Sequence, residues 1–440
     1  MKAKIFSFSL MLVMLAGLML QGCIKDRCNT TYKYTKYTPV YMDYDAFRSA
    51  VAVEGPRDLT NPGKIYTKDD YLYVNEVGEG IHVINNTNPE APVNVAFIVI
   101  PGNRDMAIKG SYLYVDSSID LLVFDITNVT SPVLTRRIEN TFPQVLTYRG
   151  FSADPAIGVV IDWTGEVVSE TYDDCSAGPP ELWVMNEAPS TWGVGMQFSA
   201  NDMSAGGATR SGGTTGTAGS MARFATTETH LYVVTEASLK VYDLADCLNP
   251  ALVNEVQVSA GWGETILETI YPSNNLLFIG SQTGMFIYNI ATPQFPTFVS
   301  MFSHVTACDP VVADENYAYV TLRSDNQVGP CPGFTNQLDV IDISDLGNPW
   351  LTRSYPMTSP QGLGLDRNTL FVCDGSAGLR VLDATNPEDL ETINTYGDMD
   401  AYDIIPLGEI AIMVGQDGIS QYNYADVNNI RLLSTIPVVK

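Results

Sequence analysis

Positive charge is scarce in this 440-residue chain: 24 Lys plus Arg stand against 50 Asp plus Glu, a formal net charge of −26 at pH 7. Such a surface repels nucleic acid and anionic lipid, and it tolerates cations, basic partners or neutral glycans. Histidine is scarcer still, with only His82, His230 and His304. No two of them stand at metal-ligand spacing, and no HExxH, GxSxG or P-loop pattern occurs. The seven cysteines include no CxxC, which removes the zinc-ribbon and thioredoxin-type readings. The longest apolar run, residues 5–20, is shorter than the roughly 20 residues a membrane-spanning helix needs.

That run is instead the core of an export signal. Lys2 and Lys4 precede it, and Leu20-Gln21-Gly22-Cys23 ends it. The ending resembles a bacterial lipobox, although Gln21 is less usual there than a small residue. The resemblance implies a signal peptide over residues 1–22, an acyl (palmitate-type) anchor on Cys23, and attachment to a membrane through that lipid. Lys25 and Asp26 resemble the surface-export signals of some Gram-negative lipoproteins, so the expected location is the cell envelope, at the outer membrane or cell surface. Residues 23–55 read as a tether followed by a short helix. The tether is polar and tyrosine-rich over 29–38, and Asp43 caps a helix over 44–51.

From residue 56 onward the chain repeats. An apolar triplet recurs as Leu72-Tyr73-Val74, Leu113-Tyr114-Val115, a weaker Ile157-Gly158-Val159, Leu231-Tyr232-Val233, Leu277-Phe278-Ile279, Ala318-Tyr319-Val320, Leu370-Phe371-Val372 and Ile412-Met413-Val414. Most spacings lie near about 42 residues, the size of a four-stranded propeller blade. Glycine follows in Gly80, Gly284, Gly378 and Gly418, where a tight hairpin calls for positive φ. The next strand alternates and closes on Asp or Asn, as in Leu239-Lys240-Val241-Tyr242-Asp243 and Leu379-Arg380-Val381-Leu382-Asp383. That closing side chain can accept from the backbone two residues on, and Asn-Pro or Ser-Pro then turns the chain. The expected fold is all-β: a β-propeller of about eight four-stranded blades over 56–440, with seven as the alternative count. Repeat three carries a Gly/Ser/Thr-rich insertion around 175–220 whose composition reads as a mobile loop.

The strand Leu338-Asp339-Val340-Ile341-Asp342-Ile343 and its copies resemble the LVIVD-repeat family of bacterial and archaeal surface proteins. The resemblance covers roughly residues 56–440 apart from the insertion. It implies a cell-surface propeller and assigns no biochemical role.

Candidate sites follow from the repeat alignment. The residues opening the innermost strands are Asp105, Gln144, Glu264, Asp309, Gln361 and Asp400, a polar ring expected at one mouth of the axial channel, facing a cation or a polar ligand. Cys308 and Cys331 lie in loops expected on one face and form a candidate disulfide. Asp162, Glu166 and Glu170 flank Trp163, a weak candidate for acid–base work on a glycan. Trp183 and Trp192 add to an aromatic cluster there. Asp398, Asp400 and Asp403 are spaced loosely like a calcium loop but lack its Gly and Glu, so calcium is the one metal considered and no resident cofactor is expected. The expected function is binding or scaffolding of an unidentified protein or glycan partner, without catalysis and without nucleic acid. The alternatives are a propeller enzyme acting on extracellular glycans, or a purely structural envelope component.

Overall fold

The computed structural model describes residues 30–142, 145–146, 151–172, 217–259, 266–305, 307, 310–324, 334–397 and 399–439. The chain forms two compact units, a small one of residues 1–38 and 164–189 and a large body of 39–163 and 190–440. The segment read as a tether is a strand: Thr30–Met42 pairs with Val159–Tyr172 in a two-stranded ribbon. Threonine and tyrosine, both strong strand formers, alternate there with lysine, which explains why the polar composition misled.

The body is a β-propeller. Its first blade comprises Pro62–Lys68, Tyr71–Glu76, Gly80–Asn85 and Val93–Val99, and its second Met106–Lys109, Tyr112–Ser117, Asp120–Asp125 and Val133–Ile138. Blade 3 follows with Phe224–Thr226, His230–Val234, Ser238–Asp243 and Ala251–Gln257, and blade 4 with Leu267–Ser273, Leu276–Ser281, Gly284–Asn289 and Thr297–Ser303. Blade 5 is Val311–Ala313, Tyr317–Leu322, Gln337–Asp342 and Trp350–Pro356; blade 6 is Leu363–Asp366, Thr369–Cys373, Leu379–Asp383 and Glu391–Tyr396. Blade 7 is Ala401–Pro406, Ile410–Gly415, Gly418–Asn423 and Arg431–Pro437. Each is an antiparallel meander, with the expected triplet on the second strand of every blade.

These seven blades close the ring among the described residues. The inner strand of blade 2 packs directly on that of blade 3, and one apolar cluster joins Leu113, Val115 and Phe124 to Phe224, Leu231 and Tyr242. Another joins Ile65 and Val74 of blade 1 to Ile405, Ile412 and Val414 of blade 7. The third triplet therefore lies outside the blades: Ile157 and Gly158 sit in a turn bridged to Asp154, and Val159 opens the ribbon strand. Local alternation matched the repeat there, but no closing Asp or Asn with a following proline completes it.

Two devices recur in all seven blades. The residue closing the third strand (Asn85, Asp125, Asp243, Asn289, Asp342, Asp383 or Asn423) accepts from the backbone NH two residues on, at 2.7–3.1 Å. A β-bulge then shifts the register between the third and outer strands at the same point. Blade 1 gains two further strands, Ala52–Glu54 on its outer edge and Thr217–Ala218 on its inner edge. The helix forms as Tyr44–Ser49 with Asp43 as its cap, Asp43 Oδ1 accepting from Ala46 N at 2.9 Å. Phe47 of this helix is buried against Ile119 and Val159.

Candidate functional site

Each inner strand begins on one face of the ring, here the near face, which also carries the hairpins between second and third strands. The opposite, far face carries the hairpins between first and second strands and the loops between third and outer strands. The sequence placed its polar ring at the near mouth of the channel. Asp105, Gln361 and Asp400 are described there; Gln144, Glu264 and Asp309 lie outside the described residues, as do Cys23 and both cysteines of the candidate disulfide, Cys308 and Cys331.

The channel is not open. Thr217–Ala218 pairs antiparallel with Thr67 and Tyr66 of the innermost strand of blade 1. Ser220 Oγ then accepts from Leu363 N of blade 6 at 3.5 Å, and Ala222 O accepts from Ile270 N of blade 4 at 2.7 Å. The next residues enter the inner strand of blade 3. Only a segment lying on the axis can touch the inner strands of blades 1, 4 and 6 within six residues. Ser220, Met221 and Ala222 are buried. Being antiparallel to blade 1's inner strand, the segment runs from the far face to the near face. The end of the insertion, read from composition as part of a mobile loop, is thus an axial strap. Small residues make up most of the segment, with Met221 the one large side chain buried in it.

Asp105 sits where the strap leaves the channel. Its Oδ2 meets Lys64 Nζ of blade 1 at 2.8 Å and also accepts from Arg223 N of blade 3, while its Oδ1 accepts from Met106 N at 2.7 Å. Pairing register puts Lys64, Asp105 and Arg223 at the same level of three consecutive blades. At this level Asp105 is met by the Lys64 ammonium on one side and the Arg223 backbone NH on the other, while the Arg223 guanidinium reaches the Leu267 carbonyl. Burial pushes the Lys64 ammonium down, and Asp105 opposes that shift. Behind Asp105, Asp116 Oδ1 accepts from Asn103 Nδ2, Arg104 N and Asp105 N at 2.8–3.0 Å. Burial still raises the Asp116 carboxyl, and it lowers the Arg104 guanidinium to about 10 with help from the nearby Arg223 charge.

The same idea recurs in blades 1 and 6. Glu76 accepts from Thr60 Oγ1 and from the backbone of Thr60 and Asn61, and its Oε2 lies 2.8 Å from His82 Nε2. Burial alone would raise Glu76, but these donors hold it below the usual carboxylate range. Asp374 Oδ1 accepts from Thr358 N and Ser359 N, both at 2.8 Å, and its Oδ2 pairs with Arg380 at 2.7 Å. These carboxylates tie down the loops that lead into the inner strands. His82 is thus a buried partner of Glu76, His230 bonds Thr229 Oγ1, and His304 bonds the Val305 carbonyl; the three stand apart in blades 1, 3 and 4.

Gln361 is buried, and its backbone NH bonds Cys373 O while its carbonyl accepts from Thr321 Oγ1 of blade 5. The Asp400 carbonyl accepts from Gln416 N. The acid that burial changes most in blade 7 is Asp403. It stands opposite Val414, a position held in the other blades by Ile65, Met106, Phe224, Ile270, Val311 and Leu363. Its Oδ1 accepts from Ile404 N at 2.7 Å, and no hydrogen bond reaches its Oδ2. Burial raises this carboxyl well above its ordinary value. Among the described residues no group of three His, Cys, Asp or Glu is arranged to hold a metal. Glu166 and Glu170 are exposed on the ribbon, and the side chains of Asp162 and Trp163, with Trp183, Trp192 and Asp398, lie outside the described residues.

The outer rim carries a feature that the repeat alignment did not single out. The second or first residue of the outer strands exposes an apolar group in consecutive blades: Leu134, Leu252, Phe298 and Leu351 of blades 2 to 5, with Trp350 beside the last. Their exposures run from 37% for Leu134 to 56% for Phe298. The four second-position residues each face a residue one before the closing Asp or Asn of the third strand, and Trp350 faces the closing Asp342 itself, which puts all of them at the far-face end of the rim.

The LVIVD repeat model matches residues 102–139, covering blade 2, and 332–357, covering the second half of blade 5. Among solved structures the chain is similar to a protein from Lactobacillus plantarum, at 11% identity and a TM-score of 0.52 over 88% of this chain and 96% of that one. It is similar to the periplasmic gluconolactonase PpgL of Pseudomonas aeruginosa, at 11% identity and a TM-score of 0.52 over 88% of this chain and 97% of that one. BamB from Moraxella catarrhalis matches more loosely, at 8% identity and a TM-score of 0.45 over 89% and 98%. No match is found among curated proteins. At such identities the structural likeness concerns the fold. The chain thus carries LVIVD repeats at residues 102–139 and 332–357, and there they fold as blade 2 and the outer half of blade 5 of a β-propeller whose closing Asp or Asn and bulge recur in every blade.

Proposed function

We propose that this protein is a lipid-anchored cell-surface propeller that binds a partner and does not turn over a substrate. The observation that carries the reading is the apolar arc on the rim of blades 2 to 5. Soluble surfaces rarely keep adjacent large apolar groups at one level without a partner for them. A propeller enzyme acting on glycans would need a carboxylate pair facing a cleft. Among the described residues, Asp105 is engaged with Lys64 and the Arg223 backbone, Asp116 with three donors, and Asp403 is buried without a second carboxylate paired to it across a cleft. PpgL is an enzyme on this architecture, so the fold itself does not decide between the two.

Anchoring rests on the basic start, the apolar run and Cys23. The expected home is the outer membrane or cell surface of a Gram-negative bacterium. Metabolic labelling with an acyl precursor tests it: the parent incorporates label, and Cys23→Ser does not. Equal labelling of both would remove the anchor. Binding is tested by affinity capture of the intact anchored protein from its own envelope, beside a Phe298→Ser, Leu351→Ser variant. A partner lost from the variant supports the reading, and identical recoveries of background proteins from both count against it.

A further inference from the structure

The rim arc also indicates what kind of partner fits it, on the premise that the propeller is a binding module. The far-face hairpins and loops beside the arc in blades 3 to 5 are residues 227–229, 243–250, 289–296, 314–316 and 342–349. They contain seven acids, among them Asp246 and Asp345, and no Lys or Arg. Asp246, Glu315 and Asp345 are exposed. Apolar side chains at the circumference therefore border loops whose own charges are all negative, the nearest basic groups being Lys109 of blade 2, on the Glu228 carbonyl, and Arg353 of the blade 5 outer strand, paired with Asp389.

We propose that this edge docks a basic protein segment that carries apolar anchors. Leu252, Phe298 and Leu351 would take the anchors, and the neighbouring loops would take Lys or Arg. The charge argument selects this occupant over four others. A second copy would bring the same acids against these, and like charges across an interface cost several kcal/mol. An anionic bilayer and nucleic acid meet the same repulsion. A neutral glycan would leave the acids without a complementary charge. The outer strands themselves are firmly seated, since Asn254 Nδ2 donates to Gln294 O at 3.0 Å and Ser300 Oγ donates to Leu346 O at 2.6 Å, each reaching the next blade. The arc is accordingly a pre-formed surface.

The test uses the full-length anchored protein. A photoreactive phenylalanine analogue replaces Phe298 in one variant and Asp58, on the near face, in another, and both are irradiated in the native envelope. The expected result is a crosslink from position 298 to a protein segment rich in Lys or Arg. In parallel, binding of a synthetic amphipathic Lys/Leu peptide is measured at physiological salt. Leu252→Ser, Phe298→Ser, Leu351→Ser and, separately, Asp246→Asn, Asp345→Asn should each weaken it roughly tenfold. The near-face control Asp58→Asn, Asp417→Asn should leave it unchanged. The proposal is overturned if the control weakens binding as much, or if position 298 crosslinks to lipid, to a second copy or to an acidic segment. A crosslink from position 58 alone removes this surface while leaving the binding role intact. Crosslinks from neither position remove the binding role itself.

Discussion

At Gly378 the backbone takes a φ of +89°, and a β-carbon there would fall inside the contact distance of the Tyr396 carbonyl. Gly378→Ala should cost at least about 2 kcal/mol, read as a lowered midpoint in urea. The sequence placed glycine here correctly for this reason. At Gly284 it was right about the residue and not about the cause, because φ is ordinary there and the constraint is close approach to Met301 and the Phe302 carbonyl. Asp403 is the opposite case. Its burial at an otherwise apolar position depends on a bulge between Ala401 and Asp403, and nothing in the local sequence announces such a shift. The sequence singled out Asp400 instead. Cys373 of blade 6 lies near both Asp403 and Asp374, Arg380 pairs with Asp374, and Lys64 is the cation that acts on Asp403 from blade 1. Because the folded-state value is raised, the stability tied to Asp403 is complete below the ordinary carboxylate value of about 3.9 and is lost as pH rises through the raised one. Denaturation midpoints of the parent should therefore fall, relative to Asp403→Asn, as pH increases from about 4. Parallel pH profiles would show that Asp403 does not carry this cost.

Within an element, the most legible signal was the one that closes locally. The triplet and the closing Asp or Asn are satisfied by residues within a few positions of one another, so periodicity and turn chemistry read them correctly in seven blades, with the Asn-Pro or Ser-Pro turn in five of them. Repeat three shows the limit, since its triplet alternates but nothing completes the meander. The strap was illegible for a related reason: Gly, Ser and Ala make a loop in water, and only the surrounding inner strands make them a fitted segment. The turn and the seam predict different penalties. Asn289 accepts from Ala291 N at an exposed turn, so Asn289→Ala should cost about 0.5–1 kcal/mol. Asp125, Asp342 and Asp383 do the same work as carboxylates, with the hydroxyl and NH two residues on, or in Asp342 those of Ser344, holding them below the ordinary range. A lowered folded-state value means that their contribution is present above the ordinary value and is lost as pH falls through the lowered one. Acid titration should thus loosen these turns only below about pH 4. Removing Asn254, which reaches the next blade, should lower stability by about 1 kcal/mol and disturb the seam between blades 3 and 4.

For the whole molecule, the ring closes without sharing a blade between the two ends of the chain, because all four strands of blade 7 are consecutive. The seal is made by side chains and a single bridge. Asn86 and Gln421 exchange amide hydrogen bonds at 2.8 and 2.7 Å, Ser434 Oγ donates to Pro89 O, and Leu59 bridges to Val438. Gln421→Ala leaves the Asn86 amide without its partner and should cost about 1–3 kcal/mol, measured by thermal unfolding. Deleting residues 360–398 removes a blade from a closed circle, so cooperative unfolding should disappear rather than shift; an unchanged transition would refute closure. The strap gives this seal a second meaning. Residues 217–222 lie on the axis, yet blades 3 to 7 come after them in the chain. During synthesis from the N-terminus the axle exists before most of the wheel. Those five blades assemble around it, and the bond between Asn86 and Gln421 locks the rim with the axle already inside. A finished ring offers no free end by which the segment could be drawn in afterwards, so order of synthesis and order of assembly coincide.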